Sequence, residues 1–330
     1  MKNSIYYQTL DNNNISEIPD SVNIDYGNVG NAQIQAVDEA KQEVPLDVSG
    51  LPIKVILENI GALPNEMYAL VRRNGFGASD SSVLLGVNPY KNINELIKEK
   101  ATMTISEEEK EIGTKVAVRK GNDLEPLIIT KYEKYFGTKT IKPIDMYEFK
   151  EYPYLKINFD GVTHTSNKKP FPVEIKVATQ WGEKHYNPAK AIFSEGVGFG
   201  PLPENVSTKN WSIETKAAYY GIPPYYYTQV QQEMMGCDAE YGHLCVLFDR
   251  SWLIHVFHIW KDERVQNDII LNGYKAWEQV KVLREANGWI DIEGNDIFDK
   301  AKEALKGNSE APRKNLQESI NEAVKIDDLE

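Results

Sequence analysis

Two apolar runs, YLKINFDGV (154–162) and FPVEIKVA (171–178), flank the turn sequence SNKKP (166–170). Alternation on both sides of a turn rich in Asn, Lys and Pro predicts two neighbouring antiparallel strands. A third strand candidate, IKPIDMYEF (141–149), precedes them, and two more, YGHLCVLFD (241–249) and WLIHVFHIW (252–260), follow. Helical patterns fill the remainder. LPNEMYALVRRNG (63–75) reads as a helix stopping at Gly75, and GASDSSVLLG (77–86) starts another, for which Ser79 or Asp80 suits the cap. NPYKNINELIKEK (88–100) reads as a turn and a helix. The helical region 106–137 is expected to break near Gly121 and to end at Gly137. PPYYYTQVQQEMMG (223–236) reads as a helix opened by prolines, and a last strong helix covers roughly 262–285. This order predicts an α/β (α+β) domain with a mixed central β-sheet flanked by helices. That domain is placed at residues 51–288, after a polar leader (1–50), with a Gly/Pro-rich inserted loop at 195–212 and a polar, partly helical tail at 289–330.

The predicted hairpin carries charge where Val or Thr would serve. In VEIKV, Glu174 and Lys176 share one strand face, and Asp160 ends the preceding strand. Two carboxylates at a sheet edge repel unless a cation lies between them, and oxygen ligands suit Mg²⁺ or Mn²⁺. A lysine within reach could hold a water or offset a developing negative charge. The tripeptide Glu-x-Lys alone says little, since it recurs at 108–110, 148–150 and 214–216, where a solvated face explains it equally well. The copy at Glu174 differs by lying in an apolar strand directly after a strand ending in FDG.

Three further stretches matter. In GNDLEP (121–126), Glu125 sits early in a predicted helix, where an acid also simply complements the helix dipole. In YYYTQVQQEMMG, Gln229 and Gln232 share a helical face with Gln231 off it; a buried glutamine can orient a water or a phosphate oxygen, and surface glutamines are common. In RRNGFGASD, Arg72 and Ser79 bracket a Gly-rich turn, a place where free amides and a guanidinium attract phosphate, or where a helix is merely capped.

Composition narrows the field. No run of about 18 apolar residues exists, so no membrane span is expected, and the N-terminus lacks the pattern of a signal peptide. Cys237 and Cys245 are too few for a disulfide framework or an iron–sulfur cluster and are read as reduced thiols of a cytoplasmic protein. The net charge of −12 opposes indiscriminate nucleic-acid binding while leaving room for a basic groove. The five histidines are scattered, and no P-loop, G-x-G-x-x-G or H-E-x-x-H motif occurs.

Taken together, RRNGFGASDSSVLLGVNPYK, GNDLEP, INFDG, VEIKV and YYTQVQQEMMG, in this order, resemble the YqaJ-type viral recombinase family. These are phage lambda exonuclease-like members of the PD-(D/E)XK nuclease superfamily, and the resemblance covers roughly residues 65–280. It implies a restriction-endonuclease-like core and a Mg²⁺-dependent exonuclease, with Mn²⁺ able to replace Mg²⁺. The implied activity runs 5′-to-3′ on linear duplex DNA ends and produces single-stranded tails for recombination. Implied partners are a single-strand annealing protein and further copies of the chain in a ring trimer, within a bacterial host cell and with a phage or prophage origin. By resemblance Asp160 and Glu174, with the Ile175 carbonyl, match the metal ligands, and Glu125 matches the helical acid that completes them. Lys176 matches the catalytic lysine, Gln229 the motif glutamine, and Arg72 and Ser79 the 5′-phosphate grip. Phe159 stands where the superfamily often has Pro, and the turn between the two acids is long. An endonuclease of the same superfamily, or a non-catalytic DNA-end-binding protein, would fit the same pattern.

Overall fold

The computed structural model describes residues 46–106, 116–165 and 169–308. The first 45 residues of the expected leader, the end of the expected tail and the tip of the SNKKP turn lie outside the described residues.

The centre is a mixed sheet of seven strands in the order β2-β5-β6-β9-β10-β7-β8. Its middle is β6 (Pro170–Ala178), β9 (Tyr241–Phe248) and β10 (Leu253–Trp260), which are apolar and mostly buried along their length. Strands covered on both faces need such near-continuous apolar runs. β6 runs parallel to β9, with Glu174 opposite Leu244 and Lys176 opposite Val246. β10 is antiparallel to β9. The expected hairpin is present only in part. The run 154–162 is not one strand, since its Lys156–Ile157 pairs in a separate sheet and Asp160 lies between strands. It is β5 (Val162–His164) that pairs antiparallel with β6, while β2 (Thr140–Ile141) adds outside β5. On the far side β7 (Phe193–Ser194) and β8 (Gly198–Phe199) form a short hairpin, so the expected loop at 195–212 opens inside the sheet.

A helix covers each face. α4 (Val116–Phe136) lies on one, where the Tyr132 hydroxyl is 2.7 Å from His243 Nδ1. α6 (Pro224–Cys237) lies on the other, with Val230 and Met234 against Gly242. Contrary to the sequence expectation, α4 does not break at Gly121; it runs on through Gly121 and Pro126 to end at Gly137, whose φ is 61°. Pro126 removes one ladder N–H, but Ile128, Ile129 and Tyr132 are buried on the sheet and hold the helix together. α6 approaches β4 (Lys156–Ile157) so closely that a Cβ on Gly236 would collide with the Ile157 methyl, which explains glycine inside a helix.

A smaller antiparallel sheet, β1-β3-β4, joins β1 (Ile53–Leu57) and β3 (Met146–Phe149) to β4. It is packed by α1 (Asn65–Arg72) and α8 (Asn295–Asn308) around Leu57, Val71, Met146, Ile297 and Phe298. α2 (Ser81–Leu84) and α3 (Ile93–Lys100), the latter boxed by Asn92 and Glu95, pack with α7 (Glu263–Ala286). α5 (Ile213–Tyr220) was not expected, although Ser212 caps it and Gly221 ends it in the left-handed region. Its Lys216 is buried in an ion pair with Asp262, which also accepts from the Tyr227 hydroxyl at 2.9 Å. Two of the scattered histidines also meet, since His243 Nε2 lies 3.1 Å from His258 Nδ1; burial lowers both pKa values, so the pair is neutral. Among the described residues no helix is long and apolar enough to cross a membrane.

Candidate active site

The hairpin and α6 converge on one acidic cluster. Asp160 Oδ2 accepts the Ile175 N–H at 3.0 Å, which locks that carboxylate beside β6. Ile175 itself points its side chain into the core. Glu174, 1% exposed, and Lys176 project from the same face, as the strand period requires. The Lys176 ammonium lies against Glu174 Oε1, 3.6 Å from Asp160 Oδ2, and 5.5 Å from the centre of the Tyr226 ring. From α6, Gln229 Nε2 donates to Glu174 Oε1 at 2.5 Å and to Glu233 Oε1 at 3.1 Å.

Glu233 went unnoticed in the sequence. It is 1% exposed, and it sits one helical turn after Gln229 with its carboxyl against that of Glu174. The available signal was an acid at i+4 from a glutamine, followed by Met-Met, in an otherwise apolar helix. The three glutamines of the motif diverge. Only Gln229 reaches the acids; Gln232 donates to the Phe76 and Lys156 carbonyls, and Gln231 bonds Trp260 O and the Asp262 N–H. Sharing a helical face thus does not give Gln229 and Gln232 the same partners.

Glu125 approaches from α4, at mid-helix rather than in a first turn, so helix-dipole complementation does not account for it. It is ion-paired with Lys142 at 2.8 Å. Burial and the Asp160 charge raise its pKa, against the opposing pull of Lys142. Burial and Asp160 likewise push Glu174 up to about 7, and burial with Glu174 pushes Glu233 well above the carboxylate range. For Lys176, burial acts to lower the pKa, but the Glu174 and Asp160 charges override it and hold the ammonium protonated.

These groups amount to excess buried negative charge that one lysine does not fully offset. Glu174 Oε2 is buried without a hydrogen-bond partner, an open acceptor in an all-oxygen set. That is the donor chemistry of a hard divalent cation, and Glu125, Asp160 and Glu174 could supply its ligands. With Lys176 between two of the acids and Lys142 on the third, no group of three His, Cys, Asp or Glu side chains among the described residues is gathered closely enough to hold a metal ion.

Arg72 and Ser79 form a separate pair, Arg72 Nη2 donating to Ser79 Oγ at 3.4 Å on an exposed surface. Ser79 caps nothing. Asp80 instead accepts the Gly77 N–H at 3.0 Å and pairs at 2.9 Å with buried Lys100, which also donates to the Arg72 carbonyl at 2.8 Å. Buried Arg284 donates to the Arg73 and Lys100 carbonyls and sandwiches between Trp277 and Trp289, fixing the same turn from below. Gln232 ties that turn to α6 through Phe76 O, so α6 contacts both the Arg72–Ser79 turn and the acids.

A mixed sheet flanked by helices thus carries Glu174 and Lys176 on β6, Asp160 just before β5, and the glutamine helix α6 beside them. The chain belongs to the YqaJ-like viral recombinase family, whose domain matches residues 67–240 and so spans every site residue from Arg72 to Glu233. Among solved structures the chain is similar to LHK-Exo, an alkaline exonuclease from Laribacter hongkongensis, alone and in complex with dAMP. In both cases identity is 14% and the TM-score 0.41, over 67% of this chain and 97% of that one. No curated protein matches significantly.

Proposed function

We propose that the protein is a metal-dependent DNA exonuclease that degrades linear duplex ends 5′-to-3′ and leaves single-stranded tails for recombination. The observation carrying this reading is the Lys176 ammonium held between Asp160 and Glu174, with Gln229 donating to the same Glu174 oxygen. Mg²⁺, or Mn²⁺ in its place, held by Glu125, Asp160 and Glu174 with the Ile175 carbonyl, would supply the Lewis acidity that polarises the scissile phosphate. Lys176 would offset the negative charge growing on the phosphoryl oxygens with its ammonium. Gln229 keeps the Glu174 carboxylate in one orientation, and the Tyr226 ring lies against the Lys176 ammonium. Arg72 with Ser79 holds the terminal 5′-phosphate through a charge-assisted contact, which selects strand ends over internal sites. On the same reading a single-strand annealing protein receives the tail, and the working form is a ring-shaped homo-oligomer.

The test is digestion of 5′-phosphorylated linear duplex, its 5′-hydroxyl counterpart and a closed circle, with Mg²⁺ or chelator, beside Lys176→Ala. Mg²⁺-dependent loss of the linear DNA, fastest with the phosphate and abolished in the variant, is the expected result. Nicking of the circle would mark an internal cutter, and tight end binding without cleavage a non-catalytic protein.

A further inference from the structure

Beside the acidic cluster lies a feature that phosphate chemistry does not use. Tyr90 is 79% exposed, so its ring contributes little to the core. Yet the turn that carries it is held rigidly. Asn88 Nδ2 donates to Ser82 Oγ at 2.8 Å, Asn88 Oδ1 accepts the N–H groups of Tyr90 and Lys91 at 2.8 and 3.0 Å, and Val87 and Asn88 donate to Ser82 O. A large ring presented to solvent on an ordered turn costs little conformational entropy to engage.

The ring is also the outer end of a ladder. Tyr90 meets Tyr225 edge-on at 6.0 Å and 64°, and Tyr225 meets Tyr226 at 4.5 Å and 62°. Tyr226 lies under the Lys176 ammonium and stacks inward on Tyr186 at 6.3 Å. Tyr225 is hydrogen-bonded to Tyr90, which keeps the two outer rings splayed as a notch rather than collapsed on each other. The notch opens on the N-terminal turn of α6, the helix that carries Gln229 toward the acids and packs against the turn bearing Ser79. The ring pair is thus carried by two segments that adjoin the site, the turn bonded to Ser82 just after Ser79 and the helix whose Tyr226 lies under Lys176.

We propose that Tyr90 and Tyr225 form a stacking platform for an unpaired nucleobase of the strand under attack, a binding site distinct from the acids, Lys176 and the phosphate grip. The proposal rests on the nuclease reading for its substrate and on the ring geometry for its location. Stacking suits a processive reader of arbitrary sequence, because every base has a π-face and contributes roughly 1–3 kcal/mol on an aromatic surface. Platform residues thus position the strand without selecting among bases.

The experiment uses the full-length protein and three substitutions at the exposed position: Tyr90→Leu, which keeps apolar bulk without a π-face, Tyr90→Trp, which restores one, and Tyr90→Phe. Two readouts are taken: KM and kcat on 5′-phosphorylated linear duplex, and the fluorescence of 2-aminopurine at the 5′-terminal position, bound in chelator so that no cleavage occurs. We expect Leu to raise KM about tenfold, in line with the stacking free energy, with kcat within twofold, and to lose the quenching that the wild type, Trp and Phe proteins show. Unchanged KM and unchanged quenching in Tyr90→Leu, in a wild type that cleaves, would overturn the platform while leaving the nuclease reading intact. Tyr90-dependent quenching in a wild type that cleaves nothing would sustain the platform and sink the nuclease reading. Absence of both cleavage and quenching in the wild type would remove both.

Discussion

Replacing Glu174 with glutamine takes a charge away from a position that resists it. The carboxyl is 1% exposed, and burial with the Asp160 charge raises its pKa from 4.5 to about 7 despite the adjacent Lys176. A folded-state value above the unfolded one means that the folded protein binds the proton more tightly. Stabilisation from this group is therefore complete below about pH 4.5 and is lost as pH rises through about 7. The displacement corresponds to about 3 kcal/mol, or roughly 6 °C in melting midpoint for a domain of this size. Glutamine keeps the shape, still accepts from Gln229, and carries no charge to desolvate. Urea unfolding in the presence of chelator, at about pH 5 and about pH 8.5, gives the comparison directly. Over that interval the wild type should lose about 3 kcal/mol more than Glu174→Gln. Removing the Glu174 charge also relieves Glu233, whose raised pKa acts in the same direction. A difference between wild type and Glu174→Gln below about 1 kcal/mol would refute the account of the site as buried excess negative charge.

Two other substitutions test the frame around the site. Lys216→Met leaves Asp262 buried with only neutral partners and should cost about 3–5 kcal/mol in chemical unfolding; the double variant with Asp262→Leu should recover part of that loss. Gly236→Ala adds a methyl against Ile157 and 3.2 Å from Phe159, an overpacking cost of about 1–3 kcal/mol. Helix propensity returns about 1 kcal/mol of it, so a midpoint shift toward instability is expected, and a gain would mean that α6 stands further from β4 than described.

Much of this was legible in the sequence, and the reasons are local. β6 and its turn announced themselves because alternation and turn chemistry act over a few residues, and the same alternation put Glu174 and Lys176 on one face. The run 154–162, read as one strand, divides between two sheets because its partners lie far along the chain. Gln229 and the Arg72–Ser79 pair were found through their motifs, and the structure brings each to a definite partner. What escaped notice depended on long-range packing. Gly121 and Pro126 signal a break, but the buried face of α4 outweighs them, since propensity yields to tertiary contacts. β1 and the β7–β8 hairpin are short segments whose strand character comes from partners far along the chain. Glu233 was invisible for a related reason. A lone acid in a helix looks like a solvated face until the sheet closes over it.

The parallel pairing of β6 with β9 also sets an order of events in time. The β5–β6 hairpin is local and can close once residue 178 is available, bringing Asp160 beside β6. The parallel pair cannot form until the chain has travelled through α5 and α6 and returned as β9, a crossover that parallel strands require. Contacts of such separation form late, because loop-closure entropy must be met before they stabilise anything. Gln229 and Glu233 reach Glu174 only when α6 docks on that completed sheet. A nascent chain emerging from the ribosome therefore carries both hairpin acids and the lysine for some time without a finished centre, and whatever chemistry the centre performs is withheld until the last strands are in place.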